Sequence, residues 1–169
     1  QYKVYFDYHT EVARDPYTIA TSENGKKSAI LSHQDCIFPA FQSEAYEKAD
    51  WRLDNPCQAV VYEMHVRDLT ISPTSGVDEA YRGTYRGAHQ TGTKNAQGDA
   101  TAFDYIKELG VNVVQLQPVT DRYKTYDEDG NVLYNWGYDV QNYSAPETSY
   151  STKPHDPKIT MRELKEMIH

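Results

Sequence analysis

Residues 99–119 read DATAFDYIKELGVNVVQLQPV and decide the fold of this chain. Apolar side chains recur there at the spacing of one helical face, which consists of Ala102, Phe103, Ile106 and Leu109. Asp99 precedes this face as the expected N-cap, and Gly110 follows it at the position where helices commonly end. Residues 111–119 form an almost continuous apolar run, which is typical of a buried parallel strand. The stretch therefore predicts a helix followed by a strand.

Another strand is predicted before this helix, at residues 59–69. Its side chains alternate between an apolar face, Val60, Tyr62, Met64 and Val66, and a second face, Val61, Glu63, His65 and Arg67. Residues 75–98, punctuated by glycine, are predicted to be a long loop. Strand, loop, helix and strand in this order predict a βαβ unit with a parallel strand pair, so the fold class is α/β.

The most unusual motif is YNWGYD, residues 134–139, in the long loop predicted at residues 120–159. Its glycine lets the backbone turn without a Cβ clash, so the side chains on both sides can face one ligand. Aromatic faces stack on the C–H faces of sugars, and a neighbouring carboxylate can accept hydrogen bonds from sugar hydroxyls. Two interpretations stay open, a sugar platform or an aromatic corner buried within a loop.

Both regions resemble one family of enzymes. Residues 134–139 resemble the YNWGYDP signature of type I pullulanases, with Val140 in place of the proline. Residues 59–69 are similar to the first barrel strand of these and related debranching and branching enzymes. Type I pullulanases are debranching enzymes of the alpha-amylase superfamily, glycoside hydrolase family thirteen. The resemblance implies that the chain contains the first two βα units of a (β/α)8 TIM barrel.

The resemblance also implies a division of the chain into three parts. Residues 1–35 are predicted to be the tail of a β-sandwich, with alternating Tyr2, Val4, Phe6 and Tyr8, a hairpin turn at Asn24-Gly25 and a return strand at residues 28–32. Residues 15–17 and 24–28 resemble the end of the carbohydrate-binding module that precedes the barrel in debranching enzymes, with an ordinary β-hairpin as the alternative. Residues 36–56 are predicted to be a linker, with one or two helical turns at residues 45–52. Residues 57–169 are the start of the barrel, and a capping box at residues 160–163 predicts where its last helix begins.

The activity that the resemblance implies is retaining hydrolysis of α-1,6-glucosidic bonds in pullulan, limit dextrin or starch. In the family an Asp attacks the anomeric carbon, a Glu protonates the leaving oxygen, and a second Asp stabilises the transition state. These carboxylates come from barrel strands four, five and seven, so we expect no catalytic residue in this chain and no activity from it alone. A non-catalytic α-glucan-binding module and a glycogen debranching or branching relative remain alternatives.

The substrate-binding residues that the resemblance implies are Tyr138, Asp139, Trp136 and Asn135. Tyr138 would stack under the sugar at the cleavage subsite, Asp139 would bond sugar hydroxyls, and Trp136 would brace the loop or lie under a distal glucose. His65 and Arg67 would line the floor of the active site, or would join Glu63 and Asp68 in an internal ion-pair network. The expected partners are an α-glucan polysaccharide or oligosaccharide and the rest of the barrel as a second polypeptide.

Metal and disulfide signals in the sequence are weak. DEDGN, residues 127–131, predicts a hairpin turn, with a calcium site as the alternative, although its spacing is not that of an EF-hand. No metal ion or cofactor is expected, and calcium is left as an alternative for the parent protein. Cys36 and Cys57 lie outside any C-x-x-C pair, so they are predicted to be free thiols, with a disulfide as the alternative.

Composition excludes two classes of partner. The formal net charge is −8, and an acidic surface repels phosphate backbones, so nucleic acid is not expected. No apolar run approaches the ~20 residues of a membrane span. Because Gln1 is not an initiator methionine, the start is expected to have been processed or left out. Localisation is therefore unknown, with a secreted or cell-surface bacterial protein favoured over a cytoplasmic one.

Overall fold

A computed structural model describes residues 1–44, 47 and 53–169, and its elements are short. The strands are β1 (Tyr2–Tyr5), β2 (Thr10–Ala13), β3 (Val61–Met64), β4 (Val113–Leu116), β5 (Thr120–Arg122) and β6 (Val140–Pro146). The α-helices are α1 (His33–Cys36), α2 (Val66–Thr70), α3 (Tyr85–Ala88), α4 (Ala102–Glu108) and α5 (Pro157–Ile168). Single turns of 3-10 helix lie at Pro39–Gln42, Pro56–Gln58, Pro73–Ser75, Glu79–Tyr81 and Thr148–Tyr150. The prediction for residues 45–52 lies almost wholly outside the described residues.

The βαβ unit predicted from the sequence is present. β3 and β4 pair in parallel, with Val61 opposite Val113 and Met64 opposite Leu116, and α4 lies between them in the chain. Both strands are shorter than predicted. β3 ends at Met64 because His65 caps a new helix, so Val66 and Arg67 lie in α2 rather than on the strand.

The N-termini of two helices differ from the sequence prediction. Asp99 is not the cap of α4, since its carboxylate and its N–H bond the side chain of Asn95 in a turn, and the helix begins after Thr101. The predicted capping box at residues 160–163 is also wrong, because α5 begins one turn earlier. Asp156 accepts hydrogen bonds from two backbone N–H groups of its first turn, and Pro157 occupies the first helical position.

The core lies between the parallel pair and the helices that follow it. Its buried members are Met64, Val66, Tyr85, Ala88, Ile106 and Tyr150, and Leu164 and Met167 of α5 pack against them. The rings of Tyr85 and Tyr150 meet edge to face with their centroids 5.7 Å apart. The Tyr85 hydroxyl donates to the carbonyl oxygen of Glu147 at 3.0 Å, which satisfies its polar end inside the core.

The region predicted to be a long loop after the second strand contains an antiparallel ladder. β5 and β6 pair with irregular register, and Tyr126 forms an isolated bridge with Val132 around the turn at residues 127–131. Residues 120–146 therefore form a hairpin, here called the β5–β6 hairpin. The sequence pattern missed it because its strands lack a clean alternation of apolar and polar residues.

In the N-terminal part, β1 and β2 form a two-stranded antiparallel sheet with every residue exposed. The turn predicted at Asn24-Gly25 is present, closed by a bridge between Thr21 and Ser28. The return strand predicted at residues 28–32 is absent, since Ser32 caps α1. The β-sandwich assignment and the three domain boundaries stay predictions.

Cys36 and Cys57 are free thiols, as predicted. In the part of the chain that the structure describes, none of the helices has the length and apolar character to cross a membrane.

Candidate functional site

The YNWGYD motif, residues 134–139, forms a loop against the carboxyl end of the parallel strand pair, here called the platform loop. Gly137 sits at its centre with φ 96°, in the left-handed region. A Cβ at this position would lie 2.8 Å from the carbonyl oxygen of Pro118, two residues beyond β4. The motif therefore needs glycine both for the backbone turn and for close approach to the strand end.

Three hydrogen bonds tie the platform loop to β3 and to the start of α2. The Tyr134 hydroxyl donates to Asp68 Oδ2 at 2.6 Å. The Tyr138 hydroxyl donates to Glu63 Oε1 at 3.4 Å. His65 Nε2 lies 3.3 Å from the carbonyl oxygen of residue 135. Two motifs that are about 70 residues apart in the sequence thus form one site.

The aromatic rings of the loop face solvent. Trp136 is 60% exposed and Tyr138 is 63% exposed, so the interpretation as a buried aromatic corner is wrong. Trp136 contacts the Tyr134 ring edge-on, with centroids 6.4 Å apart. The Asp139 carboxylate is exposed, while its carbonyl oxygen accepts from the N–H of Tyr123. These exposed groups are the kind that stack on and bond to sugars.

Asn135 differs from the other three predicted substrate contacts. Its Oδ1 accepts from the Gly137 N–H at 2.7 Å, and its Nδ2 donates to the Tyr123 carbonyl oxygen at 3.4 Å. Both ends of the amide are engaged within the protein. Asn135 therefore holds the platform loop in shape, and its contact with substrate stays a prediction.

His65 is buried beneath the loop in a defined tautomer. Nδ1 accepts from the Asp68 N–H at 3.3 Å, so the proton of the neutral ring is on Nε2, which faces the Tyr150 hydroxyl at 2.8 Å. Burial lowers the pKa of His65, and the Asp68 carboxylate partly opposes this. The ring is thus a structural link between α2, the platform loop and Tyr150.

The ion-pair network predicted on the second face of the strand is present only in part. Arg67 Nη1 donates to Asp68 Oδ1 at 3.0 Å, and the guanidinium lies over the Tyr134 ring, 5.7 Å from its centroid. Glu63 instead accepts from Gln117 Nε2 and from the Tyr138 hydroxyl. The polar residues of β3 and α2 therefore hold the platform loop.

Comparison with known proteins identifies the family. No protein-family model matches the chain. The pullulanase of Bacillus subtilis (strain 168) is 36% identical over 155 residues, which are 92% of this chain and 20% of the relative. The crystal structure of the pullulanase from Paenibacillus barengoltzii, in complex with maltohexaose and alpha-cyclodextrin, is 40% identical, with a TM-score of 0.83, over 95% of this chain and 24% of that one. The chain belongs to the pullulanase family.

The similarity extends to isoamylases. The chloroplastic isoamylase 3 of Oryza sativa subsp. japonica is 34% identical over 126 residues, 70% of this chain and 15% of the relative. This chain thus spans about a quarter or less of the pullulanases and isoamylases that it matches.

Within this pullulanase-family segment, sequence reasoning missed a buried ion cluster, Asp121, Arg122, Lys124 and Glu147. Lys124 Nζ lies 3.2 Å from Asp121 Oδ1 and 3.1 Å from Glu147 Oε1, and all three side chains are at most 5% exposed. Glu147 also accepts from the Arg122 N–H at 3.1 Å. The only signal in the sequence was four charged residues bracketing the motif, and nothing there showed that the hairpin buries them.

The pullulanase-family chain has a hairpin turn at residues 127–131, as predicted. Asp127 accepts from the N–H groups of Asp129 and Asn131 and from the Asn131 side chain, which lowers its pKa. Both carboxylate oxygens are used by the turn itself. Across residues 1–44, 47 and 53–169, no group of three or more His, Cys, Asp or Glu side chains is arranged to hold a metal ion.

Proposed function

We propose that this chain is the segment of a retaining α-glucan debranching hydrolase that supplies an aromatic platform for the sugar at the cleavage subsite. The observation that carries the proposal is the exposed ring of Tyr138, held by Gly137 and Glu63 at the carboxyl end of a parallel strand pair. In (β/α)8 barrels the active site lies at this end of the strands. The bond cleaved is the α-1,6-glucosidic link of pullulan, limit dextrin or starch.

Within the platform, Tyr138 stacks under one sugar ring and Asp139 accepts hydrogen bonds from its hydroxyls. Trp136 lies under a more distal glucose, because its ring is 60% exposed and contacts Tyr134 edge to face. The P. barengoltzii pullulanase binds maltohexaose and alpha-cyclodextrin, and a pullulanase from Anoxybacillus sp. LM18-11 binds maltotriose. Linear and cyclic α-glucans are therefore the ligands to test.

The acid, the nucleophile and the third carboxylate belong to other barrel strands in this proposal, so the chain alone does not hydrolyse glucan. The two-stranded parallel sheet supports this view. Val61 of β3 is 51% exposed and Val114 of β4 is 44% exposed, although strands of a closed barrel are covered. The surface left open is the one that the remaining barrel strands and helices cover, in the same or a second polypeptide.

The test is maltotriose binding by calorimetry and pullulan hydrolysis by the longer protein. Replacing Tyr138 with Ala removes the stacking face, so we expect affinity and kcat/KM to fall by about tenfold or more. Tyr138→Phe keeps the ring and should keep most of the affinity. Equal binding by wild type and Tyr138→Ala would refute the platform, and glucan binding without hydrolysis would identify a binding module instead.

A further inference from the structure

Asp68 occupies the junction between β3, α2 and the platform loop. Its Oδ2 accepts from the Tyr134 hydroxyl at 2.6 Å, the shortest of the three hydrogen bonds between the loop and this strand end. Its Oδ1 accepts from Arg67 at 3.0 Å. Its backbone N–H donates to His65, which fixes the carboxylate relative to the buried ring.

Both oxygens of this carboxylate therefore have partners within the protein. A carboxylate whose oxygens are engaged in this way is poorly placed to contact a sugar, and it acts instead through the group that it holds. That group is Tyr134, the first residue of the platform loop. Asp68 therefore holds the hydroxyl of Tyr134, and the guanidinium of Arg67 lies over the face of the same ring.

Two further observations describe the bond. The hydrogen bond to Asp68 raises the pKa of Tyr134 to about 12, so the hydroxyl remains a donor across the neutral range. The Asp68 side chain is 41% exposed and Tyr134 is 49% exposed. A hydrogen bond between half-exposed groups contributes little to global stability, because water replaces it easily.

We propose that Asp68 is a positioning residue for the sugar platform. It holds Tyr134, and through Tyr134 it fixes the orientation in which Trp136 and Tyr138 meet an α-glucan. This inference rests on the proposed function, because it names a residue that orients the same platform. It predicts that losing the bond weakens glucan binding while leaving the fold intact.

The experiment uses Asp68→Asn, Tyr134→Phe and the double variant in the longer protein, with maltotriose as the probe. Each single change should weaken maltotriose binding by about fivefold, since Tyr134→Phe removes the hydrogen bond and Asp68→Asn removes the charge that strengthens it. The double variant should be no weaker than the worse single variant, because both changes break one interaction. Glu128→Gln and Tyr143→Phe are the matched controls, since both lie exposed on the same hairpin.

A spectroscopic readout separates positioning from a general structural effect. The signal of Trp136 is the part of the maltotriose-dependent emission change that Trp136→Phe abolishes, which separates it from Trp51 and from tryptophans elsewhere in the longer protein. We expect maltotriose to quench or shift the emission of Trp136 in the protein with Asp68 and Tyr134 intact. The Asp68→Asn and Tyr134→Phe variants should need more maltotriose for the same change, in proportion to their loss of affinity. Their melting temperatures should equal those of the controls.

The outcomes are distinguishable. If Tyr138→Ala loses binding while Tyr134→Phe and Asp68→Asn bind as the controls do, the positioning role of Asp68 is refuted and the platform survives. Additive losses in the double variant, or losses that match a fall in melting temperature, also refute it. If Tyr138→Ala binds normally, the platform itself is refuted, and the inference with it. Should Asp68→Asn not fold, Tyr134→Phe alone decides.

Discussion

Gly137 has no Cβ, and any other residue at this position would place a Cβ against the backbone that follows β4. Gly137→Ala adds a Cβ 2.8 Å from the Pro118 carbonyl oxygen and forces a side chain into φ 96°. We expect a loss of about 2–4 kcal/mol in the free energy of unfolding, from the strained φ and the clash together. Urea denaturation measures this loss of stability, and the affinity of the Gly137→Ala variant of the longer protein for maltotriose should also fall.

The matched control is Gly130→Ala in the turn of the same hairpin. Gly130 has φ 85°, but a Cβ there meets nothing within 4 Å. Its substitution should therefore cost only the conformational term, about 1 kcal/mol. Equal losses at the two glycines would mean that contact with Pro118 does not hold the platform loop.

At the scale of single elements, His65 makes the cap of α2 sensitive to pH. Burial keeps its pKa in the folded chain below the ordinary value of 6.5, so the unfolded chain binds more protons as pH falls through that range. Stability is therefore full above about 6.5 and declines as pH falls from there toward the lowered pKa. A protonated ring also cannot accept the Asp68 N–H that caps the helix.

His65→Asn tests this assignment, since asparagine can cap a helix without titrating in this range. We expect the melting temperature of the wild type to fall between pH 7.5 and pH 5.5 more steeply than that of the variant, although His89, whose pKa burial also lowers, keeps part of the slope. His155→Asn, at an exposed position, serves as the control. Parallel slopes for wild type and His65→Asn would rule out His65 as a source of the pH dependence.

The elements also show which signals the sequence carried. The helical face and Gly110 were enough to predict α4, because those signals are local, and the order of strand, helix and strand was enough to predict the parallel pair. The sequence placed the caps of α4 and α5 wrongly, because the side chains expected to form them have other partners. Asp99 bonds Asn95 in a turn, and Glu163 accepts hydrogen bonds from residues 151 and 152. The resemblance of the YNWGYD motif to a family signature predicted that Trp136 and Tyr138 contact substrate, which agrees with their exposure. The hydrogen bonds of Asp68 could not be predicted, because they depend on how segments that are distant in the sequence meet in the fold.

At the scale of the whole molecule, the ion cluster of Asp121, Arg122, Lys124 and Glu147 joins the N-terminal segment to the hairpin. Asn142 donates both to Asp121 and to the Gly25 carbonyl oxygen, and Thr148 donates to the carbonyl oxygen of residue 23. A Cβ at Gly25 would collide with the Asp121 carboxylate. The spacing of apolar residues along the sequence cannot predict these two hydrogen bonds of Asn142 and Thr148, because they join segments more than 100 residues apart.

Lys124→Met removes the ammonium that lies between two buried carboxylates, those of Asp121 and Glu147. Because an unpaired buried charge is costly, we expect a loss of about 3–5 kcal/mol in the free energy of unfolding at pH 7. Burial already raises the pKa of Asp121, so protonation stabilises the folded state as pH falls through that raised value. The variant should therefore regain part of its loss at pH 5. Lys153→Met, an exposed lysine, is the control in urea denaturation, and a loss that is the same at both pH values would show that the cluster is not held by charge.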